Sequence, residues 1–341
     1  MIPEFNLPGF GSKTKAECNT VTYADYCPDC HQVEPKFYHC FNWECPECLP
    51  WTSSRAARRV AERLSGCHAA LHAAGGSPGN INHVMLSVPA SEYDGFDLDK
   101  MWGKAKDYAK QIGFSGGAIA FHPCRIKGGR AGEKRILRAM KIQGLKGGSW
   151  VGVHADVLGL DDWRDYAVFS PHFHIVGYFK LKEQSDEFYH RTGWTYKNIT
   201  WSKRHRAEGH KDIRRIFAYV LTHHAVVPGK QNVRYFGNIS YNKMFTKTWK
   251  ETELKACPDC SEQMYRIPVK SADEVKKIRS GVCRVELDES HKMSRLITVR
   301  HFYIVRARSK VTCIGRLSFL RMHPSGLPGS GLDRAGWRAC G

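Results

Sequence analysis

Phe169-Ser170-Pro171-His172-Phe173-His174-Ile175-Val176-Gly177-Tyr178-Phe179 decides how this chain is read. It has the apolar, aromatic and β-branched content of a buried strand. Side chains alternate between the faces of a strand, so His172 and His174 project to one side while Phe173 and Ile175 project to the other. Two imidazoles one pleat apart are a potential pair of ligands for a divalent cation, which a third group would complete. The plainer alternative is a half-buried strand whose histidines only hydrogen-bond.

Further along, Lys211-Asp212-Ile213-Arg214-Arg215-Ile216-Phe217-Ala218-Tyr219-Val220-Leu221-Thr222-His223-His224-Ala225 keeps helical spacing through Ile213, Ile216, Phe217, Val220 and Leu221. Pro228-Gly229 closes the run. Tyr219 and His223 are then i and i+4 neighbours on one helix face. Packed on the sheet, such a helix brings a phenol and a further imidazole to the histidine pair. Taken alone, a helical tyrosine is more often an amphipathic residue at the core margin.

The chain has 341 residues, with 52 Lys and Arg against 33 Asp and Glu, a formal net charge of +19. That excess points to a polyanionic partner, nucleic acid ahead of membrane, since no lipidation signal, membrane-length apolar run or leader pattern stands out. A cytoplasmic, intracellular location is expected. Among thirteen cysteines, Cys27-Pro28-Asp29-Cys30 and Cys45-Pro46-Glu47-Cys48 are two Cys-x-x-Cys knuckles separated by fourteen residues. Cys27, Cys30, Cys45 and Cys48 are expected to hold one structural Zn²⁺, with His31, His39 or Cys40 as substitutes for one ligand. A redox role has no thioredoxin-like context to support it.

Together these residues resemble the HUH endonucleases, specifically the rolling-circle replication initiator (Rep) proteins of small plasmids and viruses. The family's His-hydrophobic-His motif is matched by His172-Phe173-His174, its nucleophile helix by Tyr219, and its first apolar strand by His83-Val84-Met85-Leu86-Ser87-Val88-Pro89. The histidine pair precedes the tyrosine, the order of Reps rather than of relaxases. The knuckle, the Gly117-to-Arg125 segment and Tyr-x-x-x-His are similar to Reps of archaeal plasmids and viruses. Two departures matter. The positions three and four after Tyr219, where many Reps carry Lys, hold Thr222 and His223. Some Reps also carry a second tyrosine one turn away, but here the i+4 residue is His223 and the i−4 residue is Arg215, which implies a single-tyrosine enzyme. Related single-strand transposases place a metal-binding Gln at i+4, so the resemblance implies His223 as third ligand, ahead of His122, with Asp156 and His154 also candidates.

The resemblance implies an α+β fold, an HUH endonuclease core of antiparallel sheet flanked by helices, over residues 80–245. Around it the sequence divides into a flexible tail at 1–17, the zinc knuckle at 18–50, a basic helix at 51–75, a further Cys-containing module at 246–285 and a basic irregular tail at 286–341. The first helix is expected from an N-cap at Ser53 or Ser54 to about Ala73. Strands are expected at His83–Val88, Gly116–Pro123, Trp150–Leu158, Ala167–Phe179 and Val233–Tyr241, and a helix from Asp97 to about Ile112. Between Arg125 and Lys146 eight basic residues meet one acid, which reads as a mobile basic loop or hairpin. Arg58, Arg125, Lys127, Arg130, Lys134, Arg135, Arg214 and Arg215 are the candidate phosphate contacts. Asp161, Asp162 and Asp165 read as a turn, and Cys257-Pro258-Asp259-Cys260 as a knuckle for which Cys283 is the nearest helper in sequence. No Gly-x-x-x-x-Gly-Lys-Ser/Thr phosphate loop is present.

The implied activity is nicking and rejoining of single-stranded or hairpin origin DNA. Tyr219 would take the 5′ phosphate and leave a 3′ hydroxyl primer, with a divalent cation (Mn or Mg) on His172, His174 and His223 or His122, and a host helicase and polymerase as partners. An HUH single-strand transposase and a non-enzymatic zinc-dependent DNA-binding regulator are the alternatives.

Overall fold

The computed structural model describes residues 4–11, 16–73, 79–143, 162–165, 167–199, 210–254, 256–283, 285–287, 294–307 and 310–320. In chain order the described elements begin with β1 (Val21–Tyr26), β2 (Val33–Phe37), α1 (Leu49–Ala73), β3 (Asn80–Ser87), α2 (Leu98–Ile112), β4 (Phe114–Ile126) and α3 (Gly129–Ile142). They continue with β5 (Ala167–Phe179), α4 (Ser185–Thr192), β6 (Thr195–Asn198), α5 (His210–Val220) and β7 (Val233–Gly237). The last are β8 (Met244–Leu254), β9 (Tyr265–Pro268), α6 (Ala272–Arg279), β10 (Ser294–Ala307) and β11 (Lys310–Leu320). The fold is α+β, with antiparallel sheets and flanking helices.

The chain divides into two compact units, Met1–Asn19 with His39–Lys243, and Thr20–Tyr38 with Met244–Gly341. The first is built on a five-stranded antiparallel sheet in the order β6-β3-β5-β4-β7. Its central strand is the one that carries the histidine pair. Across β5, His172 faces Ser87 of β3 and His122 of β4, and His174 faces Met85 and Ala120. Period-two alternation therefore gathers His122, His172, His174 and His83 on one face. Phe121, Phe173, Ile175, Val84 and Leu86 turn to the other and join the core beneath α2, where Trp102 meets Phe173 edge-on at 5.2 Å between ring centroids.

Asp97 caps α2 by accepting from the backbone N–H groups of Asp99 and Lys100 at 2.9 and 3.1 Å. On the histidine face Tyr178 donates its hydroxyl to the carbonyl of Leu64 in α1. Helices α1 and α5 pack together, and Ile213, Ile216, Phe217 and Val220 of α5 are all buried. The sheet thus lies between helices on both faces, with its imidazoles turned toward the α1 and α5 side. Strand β7 ends at Gly237 because the residue there sits at φ +60, and a Cβ would lie 2.1 Å from the Ser115 carbonyl oxygen. Only glycine meets both demands.

The second unit contains two three-stranded sheets, β2-β1-β9 and β11-β10-β8. Helix α6, capped by Ser271, adds Val275 and Ile278 to a small core with Val21, Val33 and Ile267.

Several expectations are corrected here. Residues 1–17 are not loose throughout. Leu7 is 1% exposed, Asn6 bridges to Val226, and the Phe5 and Trp163 rings lie 5.7 Å apart. Helix α1 begins at Leu49, directly after the second knuckle, and Ser53 is not its cap: its hydroxyl donates to the Leu49 carbonyl at 2.8 Å, inside the helix. The basic stretch after Arg125 contains α3 instead of a loop, because Ile136 is buried with Leu7 and Trp163, and Ala139 packs on that cluster one turn away. Thr20–Tyr38 and His39–Cys48 do not form one knuckle module, since they belong to different units. Beyond residue 286, β10 and β11 are paired strands rather than irregular tail. Residues 321–341, Asp161, the strand expected at Trp150–Leu158, and with it His154 and Asp156, lie outside the described residues.

Candidate metal and nucleophile site

Three imidazoles from three elements converge on the histidine face. His122 of β4, His174 of β5 and His223 each offer a ring nitrogen, all within 4.8 Å of one another, an arrangement that can hold a metal ion. Ring centroids are 4.1 Å apart for His122 and His174 and 4.3 Å for His122 and His223. Both candidates for third ligand are therefore present together. His172 is the member of the expected pair that stands slightly apart. Its ring lies 5.2 Å from those of His122 and His174, and its Nδ1 is 2.8 Å from the Ser170 carbonyl oxygen, which that nitrogen can meet as an N–H donor, leaving Nε2 for the site. The structure thus puts His122 in the three-ligand group where the sequence put His172.

The electrostatics suit ligation. Burial drives His122 and His174 well below the ordinary imidazole range and His172 down to about 3, with the neighbouring imidazoles and Arg125 adding to the effect. Neutral imidazole is the form that binds a metal. His122 is fully buried, and neither of its ring nitrogens has a hydrogen-bond partner. Leaving both unsatisfied costs several kcal/mol in a dry site, on the order of 1–3 for each group. A bound cation would satisfy one of them. The residues present therefore fit a metal, and the donor set of three nitrogens suits Mn²⁺, Fe²⁺ or Zn²⁺ better than Mg²⁺, which prefers oxygen.

Tyr219 stands at the rim. It is 49% exposed, and its ring meets that of His223 edge-on at 5.1 Å. The sequence expected one continuous helix through His223, whereas α5 stops at Val220. Side chains end it. The Thr222 hydroxyl donates to the Tyr219 carbonyl at 2.8 Å, and His224 Nδ1 meets the Leu221 carbonyl at 2.9 Å. His223 reaches His122 from the turn that follows.

Of the candidate phosphate contacts, Arg125 is nearest the histidines. It donates to Ser87 Oγ at 2.8 Å, and its charge helps depress His172 and His174. Lys127 reaches the Asp165 carbonyl, Arg214 the Ser54 hydroxyl, and Arg215 pairs with Asp212 at 3.6 Å. Arg58 lies one turn from Glu62 on α1, and Lys134 and Arg135 are exposed on α3. The side chain of Arg130 lies outside the described residues. Asp162 and Asp165 flank a short turn at Trp163–Asp165.

Sequence reasoning did not find His83 as a partner of the site, nor the cysteine groupings. Cys45 and Cys48 gather with Cys18 and Cys40, while Cys27 and Cys30 gather with Cys257 and Cys260. The expected single group of Cys27, Cys30, Cys45 and Cys48 is corrected accordingly, and Cys283 is not the helper of the third knuckle. One signal was available, because residues 27–30 and 257–260 spell the same Cys-Pro-Asp-Cys. Either group can hold a structural metal such as zinc. Among the described residues no helix is long and apolar enough to cross a membrane. Comparison with known protein families, curated proteins and solved structures finds no match to this chain.

Proposed function

We propose that this chain is a metal-dependent, single-tyrosine DNA strand transferase of the HUH type, acting as a rolling-circle replication initiator. The observation that carries the reading is His223: it touches Tyr219 on one side and joins His122 and His174 on the other. A nucleophile and a metal-ligand set are thus joined through one imidazole.

His122, His174 and His223 would hold the divalent cation, with His172 beside them. When bound, the cation supplies positive charge to a non-bridging oxygen of the scissile phosphate. Tyr219, half-exposed at the rim, is open to a strand arriving from solvent. Its phenol oxygen forms a bond to phosphorus as its proton leaves to solvent, and the bond from phosphorus to the 3′ oxygen breaks. The 5′ phosphate is left on Tyr219, and the 3′ oxygen takes a proton from solvent and leaves as a hydroxyl. Arg125 contributes a second positive charge for the phosphate backbone beside the histidines. The excess of basic residues favours a polyanionic substrate held along its backbone, and the resemblance to HUH endonucleases implies that it is single-stranded or extruded DNA.

The test is incubation of the full chain with Mn²⁺ and a labelled single-stranded hairpin, followed by a denaturing gel. A protein-linked 5′ fragment that disappears in Tyr219→Phe is the expected result. Salt-dependent binding without cleavage would leave the regulator reading standing instead. Excision and joining confined to paired element ends would point to a transposase.

A further inference from the structure

Four sulfurs meet at each of two separate places, and the distances between them exclude one explanation at once. Cys18 lies 3.6 Å from Cys45 and 3.1 Å from Cys48, with Cys40 3.5 Å from Cys48. In the second unit, Cys27 lies 3.4 Å from Cys260 and Cys30 lies 3.5 Å from Cys257. A disulfide brings sulfurs to about 2.05 Å. A tetrahedral Zn²⁺ with bonds of about 2.3 Å holds them roughly 3.8 Å apart, near what is seen.

The backbone is bent to suit. Among the described residues, the non-glycine residues with positive φ are Asn19, His31, Phe41 and Ser261. Each directly follows a cysteine of one of these groups: Cys18, Cys30, Cys40 and Cys260. A bulky residue such as Phe41 in that region is a genuine outlier, and such strain persists only where its surroundings hold it. The two Cys-Pro-Asp-Cys turns also close in the same way. Cys27 N–H donates to the Gln32 carbonyl at 2.9 Å, and Cys257 N–H to the Glu262 carbonyl at 2.7 Å.

We propose that the chain binds two structural Zn²⁺ ions in separate Cys₄ sites, and that the second ion clasps two identical knuckles from distant parts of the sequence into a zinc ribbon. The clasp stands on sheet β2-β1-β9, where β1 runs into the first knuckle at Tyr26 and pairs with β9 just after the other. That sheet rests on a small core and so depends on its staple. Each ion displaces the protons of its four thiols, with no change of oxidation state. This inference is independent of the proposed strand transfer.

Cysteine alkylation mapped by mass spectrometry on the full chain, with zinc release measured during stepwise chelation, tests it. Cys30 is solvent-exposed, so only ligation would protect it under native conditions. The expected result is that Cys27, Cys30, Cys257 and Cys260 become reactive together with loss of one zinc. Cys18, Cys40, Cys45 and Cys48 should do so together with loss of another. A Cys257→Ser/Cys260→Ser chain should lose one ion and expose Cys27 and Cys30 alone. Free alkylation of Cys30 before chelation, joint exposure of Cys27 and Cys30 with Cys45 and Cys48, or protection lifted by a reductant rather than a chelator would each overturn the proposal.

Discussion

His83 Nε2 lies 2.6 Å from Nδ1 of His174, a hydrogen bond between two buried imidazoles on neighbouring strands. It fixes the ring of His174 and leaves Nε2 of that residue as the atom free to ligate. Burial holds His83 down at about 4, so the pair is uncharged at neutral pH. His83→Ala is expected to weaken Mn²⁺ binding by about 10–100-fold, the usual effect of removing a partner that orients a ligand. Isothermal titration reads this directly. An unchanged affinity would mean that His174 is held by packing alone.

The nitrogen-only donor set gives a metal preference. Nicking by the full chain should be supported by Mn²⁺ at concentrations at least about tenfold below those needed for Mg²⁺, because Mg²⁺ gives up water reluctantly for imidazole. Titrating each ion against the yield of protein-linked fragment checks this, and equal potency would argue against His122, His174 and His223 as the ligand set.

Two arginines should behave differently on DNA. Arg125 stands beside the histidines, whereas Arg215 is already paired with Asp212. Arg125→Ala should weaken single-strand binding more than Arg215→Ala, and should lower the salt dependence by about one counterion. Fluorescence anisotropy over a salt series separates the two.

Tyr178→Phe should destabilise the first unit by about 0.5–1.5 kcal/mol, since it removes the hydroxyl that donates to the buried Leu64 carbonyl alongside that carbonyl's helical donor. The urea midpoint is the measurement. No loss would show that the carbonyl finds its ordinary helical donor sufficient.

Glu92 makes a pH-dependent contribution. Burial alone would raise its carboxyl, but the Lys104 ammonium at 2.5 Å and the Trp194 indole N–H at 2.9 Å outweigh that and hold its pKa below the ordinary value. A depressed folded-state pKa stabilises above the unfolded value of about 4.3 and loses that contribution as pH falls through the folded value. Glu92→Gln should therefore cost stability at pH 7 and flatten the acid limb of the stability curve below about pH 5. Denaturant midpoints across that range would show a parallel limb if the ion pair did nothing.

The strand bearing His172 and His174 could be read to the residue, because its composition and its two-residue period leave one answer, and α2 was expected from Asp97 to about Ile112, where Asp97 proves to be its cap. The tyrosine helix was legible in place but not in length. The two side-chain bonds that end it, from Thr222 and His224, look in sequence like any polar residues on a helix. His122 was a candidate because of its strand, yet its place beside His174 depends on the register of β4 against β5, which no local pattern encodes. The same limit explains the cysteines: sequence proximity suggested one group from two nearby knuckles, whereas tertiary pairing across 227 residues made two.

The placement of Thr20–Tyr38 has a consequence for synthesis. Its sheet partner β9 and the thiols of Cys257 and Cys260 are made roughly 230 residues later. At roughly 5–20 residues per second, a nascent chain would carry the β1-β2 pair without its third strand for on the order of ten to fifty seconds. During that interval Cys27 and Cys30 offer half a coordination shell to whatever ion or thiol is nearby; with the proposed ion as the clasp, assembly of the second unit would be tied to the zinc supply as the last quarter of the chain emerges.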